Sequence, residues 1–310
     1  ANGVVVVETK APEAGQLRLN YTGNLNFTFA DLSDYNLMNA EEKLQFELLS
    51  GLYQSWGPDG YLGSVEQERK YNMRLQEVRR GVDTYWMNEP LRFATTHKHN
   101  LFLEGGDGVM RYGVGVSYGK TQGVMKGSDR DVLNGNVRLI YRKGRVAFTN
   151  SLNVDYTRAE RESVSFKRFA QTNPYYRKTD ENGRYTSLLD QKKLPGEGGG
   201  TVNIVNPLYN LLWKYKDFTE NFSVVDNFNI ECAILDNLRV SAGASITKGT
   251  SRMEVFKSMN HTDFLAEQDL TRKGSYNKST GDNVSWSVNA SVNYNYTKDK
   301  HLLSLFGRWN

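Results

Sequence analysis

From Leu17 to Phe29 the chain alternates without a break. Leu17, Leu19, Tyr21, Leu25, Phe27 and Phe29 fall on one parity, with Gly23 among them, and Arg18, Asn20, Thr22, Asn24, Asn26 and Thr28 fall on the other. Alternation puts successive side chains on opposite faces of a strand. This run is far longer than the usual soluble strand of about 5–6 residues and suits a tilted strand crossing a bilayer, which needs about 9–11. The same pattern predicts strands at His97–Gly105, Arg111–Lys120, Asp131–Arg142, Val146–Thr157, Asn221–Cys232, Leu238–Thr247, Val284–Thr297 and from Leu302 onward, making nine.

Turn chemistry divides the connections into two kinds. Gly106-Asp107-Gly108, Lys143-Gly144, Leu235-Asp236-Asn237 and Lys298-Asp299-Lys300 read as tight hairpin turns. Segments 30–96, 121–130, 158–217 and 248–283 are long. Strict alternation of short and long places the short turns at one end of an antiparallel sheet and the long loops at the other, as in outer-membrane barrels with their long extracellular loops. The first long loop holds a predicted helix over Asn39–Leu49, capped by Asn39 and apolar at Ala40, Leu44, Phe46, Leu48 and Leu49. A second, charged and amphipathic helix is predicted over Val65–Arg79.

Composition agrees with an all-β, antiparallel transmembrane β-barrel, present as an open partial barrel of about nine strands. The chain is 38% hydrophobic with a mean hydropathy of −0.61, yet an alternating barrel hides its apolar surface in just this way. Tyr 18, Phe 14 and Trp 5 supply the aromatic girdles of two interfaces. A net charge of +4, from 39 basic and 35 acidic residues, carries no basic stripe and argues for no nucleic-acid partner. The single Cys232 excludes an intramolecular disulfide. On the polar parity, Arg18, Asn136, Arg138 and Asn153 are expected to face a wide, plugged or water-filled lumen.

Several motifs then match a known family in order. Ala1–Lys10 (A-N-G-V-V-V-V-E-T-K) resembles the end of the plug domain in TonB-dependent outer-membrane transporters of the SusC/RagA type. Leu37-Met38-Asn39-Ala40-Glu41-Glu42 is similar to that family's segment after the first barrel strand. His99–Gly106 is similar to a strand and turn of the family, departing from it at Phe102 and Glu104, and Arg111–Tyr118 follows as the family's next strand does. Asn173-Pro174-Tyr175-Tyr176 and Asp180-Glu181-Asn182-Gly183 resemble one of its loops. The resemblance implies residues 1–12 as the end of a plug and 13–310 as the N-terminal part of a 22-stranded barrel. It also implies a TonB-driven importer of oligosaccharides or peptides in a bacterial outer membrane, partnered by a SusD-like surface lipoprotein, by TonB through a segment missing from this chain, and by outer-membrane lipid. The resemblance further implies that this sequence is a fragment of a longer protein. A passive porin without energy coupling is the alternative.

Candidate chemistry is sparse. His97 and His99 share a strand face with no third ligand nearby, which favours a structural or interfacial role over a metal pair. Gly196-Glu197-Gly198-Gly199-Gly200 has no following Lys-Ser/Thr or helix and reads as a flexible external loop. Asp129, Asp131 and Asp180–Gly183 do not have the spacing of a calcium loop. No triad, carboxylate pair or Cys/His constellation supports catalysis or a cofactor, so the chain is expected not to be an enzyme. Tyr175, Tyr176, Tyr209, Trp213 and Tyr215 crowd one long loop, and rings of this kind stack on sugars or peptide side chains, making them the candidate substrate-binding residues.

Overall fold

In the computed structural model residues 11–54, 61–193, 200–298 and 301–309 are described. Nine strands form one antiparallel sheet in plain meander order: β1 (Gly15–Thr28), β2 (Ala94–Gly106), β3 (Met110–Gln122), β4 (Asp129–Lys143), β5 (Val146–Glu160), β8 (Tyr215–Leu235), β9 (Leu238–Lys257), β10 (Ser275–Lys298) and β11 (His301–Trp309). The sheet is an open partial β-barrel with β1 and β11 at its two edges. A separate ribbon, β6 (Leu188–Lys193) with β7 (Thr201–Val205), stands in the loop between β5 and β8.

Register places the loops. Thr28 faces Ala94, Gln122 faces Asp129, Glu160 faces Phe218 and Lys257 faces Ser275, so all four long connections leave from one end. The turns after Gly106, Lys143 and Leu235 lie at the opposite end. The expected turn residues Asp299 and Lys300 lie outside the described residues, as do Ala1–Lys10 and Gly196–Gly199.

One cross-strand row runs Leu19, Leu103, Val114, Val137, Leu152, Asp226, Ile246, Trp286; the adjacent row of the other face runs Arg18, Glu104, Gly113, Arg138, Ser151, Asn227, Ser245, Ser287. Residues directly opposite share a face. Tyr112, Val114, Val116, Leu152, Val154, Val240, Val288 and Val292 accordingly share the apolar face, and Asn136, Arg138, Asn153, Ser241 and Asn289 share the polar one.

The apolar band also shifts along the strands from one edge to the other. Gly23, midway along the apolar run of β1, lies on the row that passes His99, Tyr118, Leu133, Tyr156, Phe222 and Thr250 to reach Asp282. On β10 the apolar run begins only beyond that row, at Val284, and extends to Tyr296. A band oblique to the hydrogen-bond rows is what tilted strands around a horizontal apolar belt require.

Two expectations need correction. Segment 248–283 is mostly strand, since β9 continues to Lys257 and β10 starts at Ser275. Segment 158–217 likewise loses its ends to β5 and β8 and contains the β6–β7 ribbon. The reason is chemical. Beyond the band, strand tops are held by ions instead of apolar side chains: Arg158 pairs with Glu220 at 2.7 Å, Arg252 with Glu254, and the Arg158 guanidinium lies 4.2 Å from the Phe218 ring centre. Hydrophobic alternation therefore ends before the strands do. Asp226, which the alternation did not mark, is an acid on the apolar face whose Oδ1 accepts a hydrogen bond from Asn150 Nδ2 at 2.6 Å.

Candidate functional site

At the long-loop end the loops pack into one body. Helix α1 (Ala40–Leu49) begins at a capping box: Asn39 Oδ1 accepts from the Glu42 amide at 2.9 Å, and the Glu42 carboxylate accepts from the Asn39 amide at 3.0 Å. Its buried stripe is Ala40, Leu44 and Glu47, one turn apart, while Phe46, Leu48 and Leu49 are exposed. Of the five predicted apolar positions, two, Ala40 and Leu44, are thus buried. Helix α2 (Tyr61–Arg79) crosses it, and the core between the loops contains Ala40, Trp86, Val164, Phe169, Tyr175, Tyr176 and Leu208.

Arg74 of α2 organises the polar part of this core. Its guanidinium donates to Tyr53 Oη at 2.7 Å, Glu47 Oε2 at 3.3 Å, Tyr176 Oη at 3.3 Å and Asp190 Oδ2 at 2.6 Å. Tyr53 donates to Glu47 at 2.6 Å, Tyr175 to Glu47 at 3.0 Å and Tyr176 to Asp190 at 3.0 Å. Burial pushes the phenols of Tyr175, Tyr176 and Tyr53 above their ordinary pKa, so they remain donors. Burial works most strongly on the Asp190 carboxylate and raises it, but the hydrogen bond and charge of Arg74, with the Gln191 amide and the Tyr176 hydroxyl, together outweigh burial and hold the group below the usual range.

The candidate aromatic residues divide between two places. Tyr175 and Tyr176 are 1% and 9% exposed, ring edge to ring face in the core, with both phenols engaged. Tyr209 and Trp213 pair edge to face at 5.7 Å, half-buried beside the Asn210–Thr262 clasp that joins two loops at 2.8 Å. Tyr215, at the top of β8, donates to Asp217 at 3.2 Å. The sequence pattern did not reveal Arg74, Glu47 or Asp190. The available signal was an acid, Glu47, on the Ala40–Leu44 stripe of α1.

Against the candidate metal sites, His99 Nδ1 meets Tyr21 Oη at 2.7 Å and the His97 ring lies tilted beside that of Tyr118, 5.9 Å between centres. Asp129 pairs with Arg92, and Asp180 caps its own turn through the Asn182 and Arg184 amides at 2.9 and 2.8 Å. Among the described residues no group of three or more His, Cys, Asp or Glu is placed to hold a metal ion.

The polar face of the sheet has its own geometry near β1. Arg18 pairs with Glu13 at 2.8 Å and approaches Glu104 at 3.6 Å, while the Glu13 amide donates to Glu104 at 3.2 Å. Buried Pro12 sits over Gly113, where an added Cβ would stand 3.0 Å from Pro12 Cγ and 3.1 Å from Phe102 Cζ. The chain thus reaches β1 across the polar face. Asn136 lies over Gly115, where a Cβ would be 2.3 Å from its Oδ1.

These strands define part of an antiparallel β-barrel wall with one apolar and one polar face. No family model matches the chain, and no curated protein matches it in sequence. Among solved structures, the RagAB peptide importer in its closed-closed state superposes with a TM-score of 0.72 over 97% of this chain and 35% of that one, at 15% identity. A structure of the RagAB peptide transporter gives the same values. The RagAB importer in its open-open state gives 0.69 over 96% of this chain and 34% of that one, at 14% identity. The chain spans about a third of the length of these structures, and the likeness is one of fold.

Proposed function

We propose that the chain forms part of the wall of a TonB-dependent outer-membrane importer of the SusC/RagA type, taking up peptides or, as the wider family resemblance allows, oligosaccharides with a SusD-like surface lipoprotein. The observation that carries this reading is the approach of the chain to β1. Pro12 and Glu13 are seated on the polar face, against Gly113 and Glu104. That is where a plug must lie if residues 1–12 are its end. A porin has no plug leading into its first strand. The superposition on two conformations of a peptide importer supports the same reading.

The faces then take their roles. The apolar face meets lipid, and Arg18, Asn136, Arg138 and Asn153 line the lumen. Each open edge presents unpaired backbone groups, which cost several kcal/mol apiece in hydrocarbon, so β1 and β11 are completed by further strands in the membrane. The long loops, the Tyr209–Trp213 pair and Tyr215 face the outside and meet substrate or the lipoprotein.

The test is uptake of labelled peptides by cells that carry or lack the gene, with and without a protonophore and in a TonB-deficient background. Import that needs the gene, the proton gradient and TonB supports the reading. Gene-dependent uptake that survives both treatments is the passive porin instead.

A further inference from the structure

A cleft of about 530 Å³ opens between α2 and the β6–β7 ribbon. Its floor is the Arg74 network, with Tyr175, Tyr176 and Asp190, and its sides carry Met73, Leu188 and Leu189. That volume lies in the range of ligand sites, roughly 300–1,000 Å³, and suits a few residues of peptide.

Its charges are unequally committed. Asp190 is taken by Arg74 and Tyr176. Glu77 is taken by Arg177 and Arg80, and Glu66 also has a partner. Arg69 makes no ion pair or hydrogen bond among the described residues, and the Lys70 ammonium meets only a backbone oxygen, that of Gln191, at 2.7 Å. The acids of the cleft are paired, while two neighbouring cations lack a carboxylate.

The backbone excludes one mode of binding. The outer edge of β6 is closed at Gln191, whose carbonyl accepts from Lys70 and whose amide donates to Asp190 Oδ1 at 2.7 Å. A ligand therefore does not add as a strand there. What remains is capture of a terminal anion beside an apolar side chain, a recognised mode of peptide binding in which a planar guanidinium matches a carboxylate.

We propose that this cleft binds the C-terminal residue of a peptide. The carboxylate pairs with Arg69 and Lys70, and an apolar side chain rests on Met73, Leu188 and Leu189 above the Tyr175–Tyr176 floor. This rests on the importer reading and names its substrate end.

The test is equilibrium binding of fluorescent peptides to the detergent-purified protein, comparing free and amidated C-termini. Arg69→Gln, Lys70→Gln and the pair are the variants, and Arg79→Gln, outside the cleft, is the control. Tenfold or greater weakening by amidation, matched by the double variant and absent in it on further amidation, is the expected result. Peptide binding indifferent to amidation and to both substitutions overturns the proposal while leaving the importer reading intact. No binding of any peptide overturns the proposal and the peptide form of the importer reading, whereas displacement of the peptide by an acidic oligosaccharide that itself needs Arg69 overturns the proposal and leaves the importer reading standing in its oligosaccharide form. Normal far-UV circular dichroism and retained heat-modifiable migration establish that each variant is folded.

Discussion

Arg74 of α2 stands 2.6 Å from Asp190 of β6, joining residues 116 positions apart in sequence. Through this pair the first long loop and the third become one body, with Glu47 5% exposed on the other side of the same guanidinium. Removing one partner of a buried charge pair leaves the other uncompensated, at a cost of about 3–5 kcal/mol. Arg74→Met is therefore expected to loosen both loops together, read as faster proteolysis within segments 29–93 and 161–214, with the sheet unchanged. Tyr176→Phe removes two hydrogen bonds, the one given to Asp190 and the one accepted from Arg74, at about 1 kcal/mol each.

The clasp between loops is expected to weaken in acid. His261 is buried, its Nδ1 accepts from the Asp263 amide at 3.2 Å and its Nε2 has no partner among the described residues. Burial lowers its pKa below the ordinary 6.5; Asp263 opposes that shift, while Lys257 and Arg168 add to it. A lowered folded-state pKa means the unfolded loop binds the proton more readily. Stability is fully present above about 6.5 and falls as pH drops toward the folded value. Hydrogen-exchange protection factors across residues 258–264, taken relative to the intrinsic rate at each pH, should fall between pH 7.5 and pH 5, chosen to bracket the ordinary histidine value of about 6.5 by one unit or more. His261→Gln should flatten this dependence.

Gly115 exists because Asn136 lies across it. Gly115→Ala puts a methyl 2.3 Å from Asn136 Oδ1, the far end of a side chain that can turn aside, so the cost falls at the low end of the about 1–3 kcal/mol typical of overpacking. Asn136→Ala in the same chain should recover most of the loss, measured as the temperature at which heat-modifiable migration disappears. Additive losses in the double variant would contradict the close approach.

The strands were legible because one apolar and one polar face impose period two, and a register slip of one residue would exchange every side chain between faces. That is why Tyr112 to Val154 could be assigned a face from spacing alone. The strand tops were not legible. There Arg158, Glu220, Arg252 and Glu254 replace apolar side chains, and charge alternation looks like loop. Asp226 was overlooked for the opposite reason: the residues around it, Val224 and Phe228, are apolar enough to carry the strand past it. The Arg74 core was legible only in fragments, in Tyr175 and Tyr176 and in the acid Glu47 on the Ala40–Leu44 stripe. Its members come from four separate segments, and nothing local in a charged helix marks which arginine will be buried.

Charge placement separates the faces energetically. Val154→Arg on the apolar face should destabilise the membrane-inserted protein by about 2–4 kcal/mol, whereas Asn153→Arg, one residue away, should be tolerated. Urea titration in detergent micelles reads both.

The most direct measurement is a cysteine scan of β10 from Val284 to Tyr296, in a Cys232→Ser background, in intact outer membranes. Labelled with a lipid-soluble maleimide, positions 284, 286, 288, 290, 292, 294 and 296 should react. A water-soluble, membrane-impermeant reagent, supplied to both sides, should label the Ser and Asn positions between them. Period-two labelling in that phase supports a transmembrane wall with the apolar face in lipid. Uniform aqueous labelling, or alternation of the opposite phase, would contradict it.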